Sequence, residues 1–195
     1  KFWIPAECDV PHRKGWFYHP EQDSLVKSPD QLFEIYLHSV GRGGNMNLGL
    51  APMPEGTLHA NDVRSLELFG EKLQKSFAVN LAENAKIKAS NTRGGSQKRF
   101  GTQHLLDDDR YTYYAPDDEV LDPILEIDLD GEQVFDLIRL RENIRLGQRI
   151  DSVRIDVWDS PAGPNGGQPV GAWKHLTSAT SIGSTRLIRL PGSVK

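Results

Sequence analysis

Ser28-Pro29-Asp30-Gln31-Leu32-Phe33-Glu34-Ile35-Tyr36-Leu37-His38-Ser39-Val40-Gly41-Arg42-Gly43-Gly44-Asn45-Met46-Asn47-Leu48-Gly49-Leu50 is the stretch on which the fold turns. Its opening is a strong helix start: Ser28 serves as N-cap, Pro29 takes the first helical position and Gln31 closes a capping box. Leu32, Ile35, Tyr36 and Ser39 recur at helical spacing, with Phe33 and Leu37 beside them. Gly41 stops the helix, and a glycine-rich turn feeds Met46 to Leu50, a short buried strand. The turn lacks the Lys-Ser/Thr ending of a phosphate loop and follows a helix instead of preceding one. It therefore reads as a helix C-cap, with glycines for positive φ and Arg42 as its anchor.

Working outward, residues 1–10 read as a strand and loop, because Phe2, Ile4 and Val10 are apolar while Pro5 and Pro11 oppose regular central pairing. A second helix is expected from Asn61 to Phe77, with Val63, Leu66, Gly70, Leu73 and Phe77 on one face. Strand, helix, strand, helix is the pattern of a parallel sheet or barrel. After Leu81 no helix is expected. Apolar or alternating runs recur instead at 85–89, 111–115, 124–129, 134–140, 150–158, 172–177 and 185–190. Turns such as Asp130-Gly131 and the stretch 163–167 separate them, which indicates a β-sandwich. The expected fold class is α/β plus all-β, with barrel-type elements in 1–81 and a sandwich in 82–195.

Composition excludes several functions. The 195 residues can bury a core, and 37% apolar with 26% charged residues is ordinary for a soluble globular chain. A net charge of −4 and a pI near 5.9 leave no basic footprint for nucleic acid. No apolar run approaches the ~20 residues that span a bilayer. One cysteine, Cys8, excludes an internal disulfide framework and fits a cytosolic or bacterial periplasmic protein. The chain opens without Met and inside an apparent strand, so a piece of a longer polypeptide is expected.

Residues 1–19 hold the densest chemistry: Trp3, Glu7, Asp9, His12, Arg13, Trp16 and His19. Such a mixture suits a wall where a polar, ring-shaped ligand meets one ionisable group. Glu7 is the candidate catalytic carboxyl, and burial beside Trp3 and Trp16 would raise its pKa by disfavouring the anion. A surface glutamate at a strand end fits the same spacing. Asp9 could brace Arg13 or meet a sugar hydroxyl, and Trp3 and Trp16 could face a pyranose or simply pack. No His-x-x-x-His set suggests a transition metal. Asp107, Asp109 and Thr112 are a candidate calcium set, because clustered carboxylates and loop carbonyls supply hard oxygen ligands, or else an acidic turn before the next strand. Trp158 and Trp173 could form a carbohydrate platform, with core packing as the plainer expectation.

Trp3-Ile4-Pro5-Ala6-Glu7-Cys8-Asp9-Val10, Arg13 and Gly15-Trp16-Phe17-Tyr18-His19 resemble the acid/base segment of α-L-fucosidases of glycoside hydrolase family 29. The likeness continues through Leu32-Phe33-Glu34-Ile35-Tyr36, Ser39-Val40-Gly41-Arg42 and Asn47-Leu48-Gly49-Leu50-Ala51-Pro52. Downstream, Leu105-Leu106-Asp107-Asp108-Asp109, Thr112-Tyr113-Tyr114-Ala115 and Leu146-Gly147-Gln148-Arg149-Ile150 are similar to the discoidin-like, galactose-binding-type sandwich that follows the family's barrel. Pro11 and Lys14 depart from the family, which usually has Ser and Pro at those positions.

The resemblance implies the C-terminal portion of a catalytic (β/α) barrel in 1–81 and a discoidin-type sandwich in 82–195. It also implies a retaining exo-α-L-fucosidase with Glu7 as acid/base and Trp3, Asp9, Arg13 and Trp16 at the substrate. The substrate would be a fucosylated oligosaccharide or glycan. The aspartate nucleophile would lie on a preceding part of the polypeptide, which is thus an expected partner of this chain. The resemblance implies that no cofactor is required, leaves room for a structural calcium in the sandwich, and sets the expected location in the bacterial periplasm or exterior. The competing expectation is a non-catalytic carbohydrate-binding protein with the same sandwich.

Overall fold

A computed structural model describes residues 4, 6–159 and 171–194. The first strand, β1 (Glu7–Pro11), pairs in parallel with β2 (Asn45–Gly49), in register from Glu7 opposite Asn45 to Pro11 opposite Gly49. Parallel neighbours need a crossover, and α1 (Pro29–His38) provides it. The expected capping box is present: Gln31 N–H donates to Ser28 Oγ at 3.2 Å, and Ser28 N–H to Gln31 Oε1 at 2.9 Å. A short 3₁₀ turn at Val40–Arg42 then ends on Gly43 at φ 82°, a left-handed position that glycine adopts without strain. The second helix, α2, spans Ala60–Phe77 and follows β2. Among the described residues no helix is long and apolar enough to cross a membrane.

The second half pairs its strands antiparallel. β3 (Lys86–Ala89) meets β4 (Leu125–Asp128), β5 (Phe135–Leu140) meets β8 (Arg186–Val194), and β6 (Ser152–Asp159) meets β7 (Ala172–Thr180). Two expectations for this half need correction. Short helical pieces do occur, at Gln97–Phe100 (α3) and in 3₁₀ turns at Arg93–Gly95, Thr102–Leu105 and Ile144–Leu146. Residues 111–115 are not a strand, because their hydrogen bonds run to the turns around them. Arg93 N–H donates to Ala115 C=O, Ala115 N–H to Phe100 C=O, and the Tyr114 hydroxyl to Asn91 C=O. Tyr113 packs its ring against Phe100 with centroids 5.6 Å apart.

The core ties the two halves together. Phe33 and Leu37 of α1 pack with Leu187 of β8, and Tyr36, Phe69, Leu73 and Leu137 surround them. Gly41 lies in the same contact, where an added Cβ would stand 3.0 Å from the Leu187 Cβ. α2 turns most of the expected face inward, with Leu66, Gly70 and Leu73 half-buried and the Phe77 ring against Tyr36, but differs at its N-terminal end. Val63 is exposed, whereas Asp62 and Ser65 are buried and Leu66, Phe69 and Leu73 continue that face. The helix thus turns a polar end toward the loop after β1.

That loop is held by the polar end of α2. The Arg13 side chain has no exposed surface, and its Nε and Nη2 donate to the two carboxylate oxygens of Asp62 at 3.0 and 2.5 Å. Its Nη1 stands 2.9 Å from Asp23 Oδ1, and the guanidinium lies 4.8 Å from the Tyr18 ring centroid. His12, equally buried, sits between Ser65 Oγ and Asp62 Oδ1, each 3.3 Å from a ring nitrogen. Lys27 closes the arrangement by donating to the carbonyls of Pro11 and Arg13 at 2.6 and 3.1 Å. Replacing one partner of a buried ion pair leaves the other desolvated and uncompensated. Asp62→Asn is therefore expected to cost about 3 kcal/mol in chemical denaturation of the polypeptide.

Burial strips the His12 imidazolium of its hydration and holds its pKa below 6.5, while Asp62 pulls less strongly the other way. Below pH ~6.5 the unfolded chain then binds the proton that the folded chain resists. This contribution to stability is present above that pH and is lost as pH falls through it. His104, raised by its bond to Asp107, contributes the opposite slope. The expected readout is therefore the difference between the wild type and His12→Gln, in which the His104 contribution cancels. The wild type should lose more stability than the variant between pH 7.5 and 5.5.

Candidate active site

Successive residues of a strand face opposite sides of the sheet, so Glu7 and Asp9 share one face of β1 and Cys8 and Val10 the other. The parallel register places Asn45 beside Glu7 and Asn47 beside Asp9 on β2. Glu7, Asp9, Asn45 and Asn47 are all exposed, whereas Cys8, Val10, Met46 and Leu48 are half-buried. The two-stranded unit thus presents a polar face of two carboxyls and two amides.

The two carboxyls differ. Asn47 Nδ2 donates to Asp9 Oδ1 at 2.9 Å, which fixes the Asp9 side chain. Glu7 has no such bond among the described residues and stands beside Asn45. It is exposed among the described residues, so the aromatic enclosure expected from sequence is not formed by them. Trp3, expected to form part of it, lies outside the described residues.

Trp16 closes one end of the face. Its ring carbons lie 2.8 and 2.9 Å from where a Cβ on Gly49 would stand, so the indole rests on the bare backbone of Gly49. The ring remains 54% exposed, which leaves indole surface free for contact. Only a glycine at position 49 permits this approach. An indole face and open carboxyl oxygens on one surface can meet the C–H side and the hydroxyls of a sugar.

The other expected site residues are placed elsewhere. Arg13 lies behind the wall as the buried partner of Asp62 and Asp23, so it cannot touch a ligand and acts as a brace. Asp107, Asp109 and Thr112 form a self-contained turn. Asp107 accepts from the Thr112 hydroxyl at 2.9 and 2.7 Å, from Asp109 N–H at 3.1 Å and from His104 Nδ1 at 2.9 Å. The His104 bond pulls the Asp107 carboxyl below its ordinary value. Asp109 in turn accepts from Tyr111 N–H. Among the described residues no group of three or more His, Cys, Asp and Glu side chains is gathered for a metal.

Asn45, Asn47, Gly49, Asp23 and Asp62 went unrecognised as parts of the site. The Asn-x-Asn-x-Gly alternation was available as a signal that one face of β2 is polar and ends in a gap.

No protein-family model matches the chain. It is 33% identical over 187 residues to Alpha-L-fucosidase 1 of Arabidopsis thaliana, covering 96% of this chain and 35% of the relative. The structure superposes on a Ruminococcus gnavus GH29 fucosidase in complex with fucose, with a TM-score of 0.84 and 29% identity, over 100% of this chain and 37% of that one. It matches the solved structure of SpGH29 with a TM-score of 0.82 and 34% identity, over 96% of this chain and 38% of that one. Similarity extends along nearly the whole sequence and backbone, although the chain spans about a third of the length of the curated relatives it matches. Over nearly its whole length the chain is thus similar to about a third of the length of α-L-fucosidases of glycoside hydrolase family 29.

Proposed function

We propose that this chain is the acid/base-bearing part of a retaining exo-α-L-fucosidase acting on fucosylated oligosaccharides or glycans. The observation that carries this reading is the polar face of β1 and β2, where Glu7, exposed and without a hydrogen bond among the described residues, stands two residues from a fixed Asp9. In this role Glu7 donates its proton to the glycosidic oxygen as the bond to the anomeric carbon breaks. It then takes a proton from water as that water attacks the glycosyl-enzyme intermediate. The nucleophile, an aspartate about 5–5.5 Å from Glu7, belongs to the remainder of the polypeptide. Trp16 supports a sugar ring, Asp9 receives a hydroxyl on its second oxygen, and Arg13 holds the loop from behind.

In the same proposal, residues 1–81 complete a (β/α) barrel and 82–195 form the discoidin-like sandwich, with the enzyme in the bacterial periplasm or outside the cell. The β1-α1-β2 unit supports the barrel, and the antiparallel pairs β3–β8 support the sandwich. Trp158 and Trp173 are each more than half exposed, with ring centroids 5.3 Å apart. This gives the competing reading, a purely carbohydrate-binding protein, a concrete surface.

Kinetics of the full-length polypeptide separate the two. Glu7→Gln should lower kcat on a natural fucoside by about 10²–10⁴-fold, and less on an aryl fucoside whose leaving group needs no proton. Unchanged turnover of the natural fucoside would remove Glu7 from the mechanism, and absence of fucose release by the wild type would favour the binding protein. Trp16→Ala should raise KM about tenfold with little change in kcat. Gly49→Ala should do the same, because its methyl displaces the indole. Normal KM in both variants would show that Trp16 does not meet the substrate.

A further inference from the structure

A cleft of about 800 Å³ lies between the turn after α1, the loop at 144–148 and the turn that leads into β8. It includes the backbone at Ala6, next to Glu7, but its chemistry is different. Arg42, Arg145 and Arg186 all line it, and no acidic residue does among the described residues. Arg145 sets its guanidinium 4.9 Å from the Tyr111 ring centroid. Arg42 and Arg186 have no ion-pair partner among the described residues. Burial, and then the positive charge of Arg42, lower the Arg186 pKa.

The framework that holds these cations is well tied. Glu142 Oε1 accepts from the N–H groups of Arg149 and Ile150 at 2.8 and 3.1 Å, and its Oε2 accepts from Gly183 N–H at 2.6 Å. Glu142 N–H donates back to Gly183 C=O at 3.0 Å. The Glu142 carboxylate is therefore engaged by backbone, and the two loops are locked to each other. Across the cleft, Gly43 lets the Ser184 hydroxyl approach its backbone where a side chain would collide. Two arginines brought together on such a fixed frame, with no acid between them, repel each other unless an anion joins them.

We propose that this cleft binds the anionic oxygen group of an acidic saccharide, a carboxylate or sulfate received by Arg42 and Arg186. The planar guanidinium fork matches either group and donates to it in pairs. Gln148, Ser181 and Ser184 supply neutral polar groups for the hydroxyls of the same sugar. The volume exceeds what a bare oxyanion fills and suits a sugar unit or two. The site stands on its own residues and does not depend on fucosidase activity.

Calorimetric titration of the full-length polypeptide at low ionic strength tests it, with glucuronic acid, inorganic sulfate and glucose as probes. Glucuronate should bind saturably and glucose should not. The Arg42→Gln/Arg186→Gln variant should bind glucuronate at least tenfold more weakly, and the corresponding double lysine variant should keep part of the affinity. Tighter binding of glucuronate than of sulfate identifies the saccharide as the source of the anion, and equal binding identifies a free anion. If the double variant does not fold, Arg42→Gln alone, on an exposed side chain, gives the same reading. Absence of saturable anion binding by the wild type, or unchanged binding after either substitution, would overturn the proposal.

Discussion

The paired contact between Arg13 and Asp62 is the constraint on which the candidate site depends. Both side chains are fully buried, 49 residues apart in sequence, and joined by two nitrogen–oxygen bonds. Removing two charges from water is costly, and their mutual attraction offsets that cost only with good geometry and further partners. Those partners are present: Asp23 on the guanidinium and the Tyr18 ring beside it. A pair of this kind fixes one arrangement more than it adds net stability. Here it fixes the loop that leaves β1, and hence where Trp16 meets Gly49.

A second constraint comes from the apolar side. The described core is small, and its central cluster combines Phe33 and Leu37 of α1 with Leu187 of β8. Gly41 admits β8 because it has no side chain, so the turn that ends α1 also seats the last strand. The β1-α1-β2 unit is therefore gripped on two sides, by the polar end of α2 and by the apolar face of β8. Loss of either grip would leave the short parallel pair exposed at an edge.

Local sequence was a good guide wherever local chemistry decided the outcome. The capping box at Ser28 and Gln31, the left-handed glycine after α1 and the strand-helix-strand order all rest on residues within one turn of each other. Where partners come from afar, the pattern misled. The expected face of α2 holds at Leu66, Gly70 and Leu73 but fails at Val63, because Asp62 and Ser65 look like solvent-facing residues until Arg13 and His12 arrive from 49 and 53 residues away. Residues 111–115 alternate like a strand, yet Arg93, Phe100 and Asn91 take their hydrogen bonds. Arg13 carried a charge in an aromatic, acidic stretch and so looked like a ligand contact, although its charge is neutralised internally.

Glu7 and Asp9 show how a strand can give two like side chains different chemistry. They share a face, an exposure class and a separation of two residues, so nothing intrinsic distinguishes them. The distinction comes from β2: Asn47 reaches Asp9, and among the described residues none donates to Glu7. A carboxylate held by an amide is oriented, with its second oxygen left to accept a hydroxyl. A carboxyl with no fixed donor keeps its side-chain freedom and can turn toward a ligand. The parallel register alone decides which carboxyl meets Asn47, so β1 and β2 give the two carboxyls different surroundings before any ligand is present.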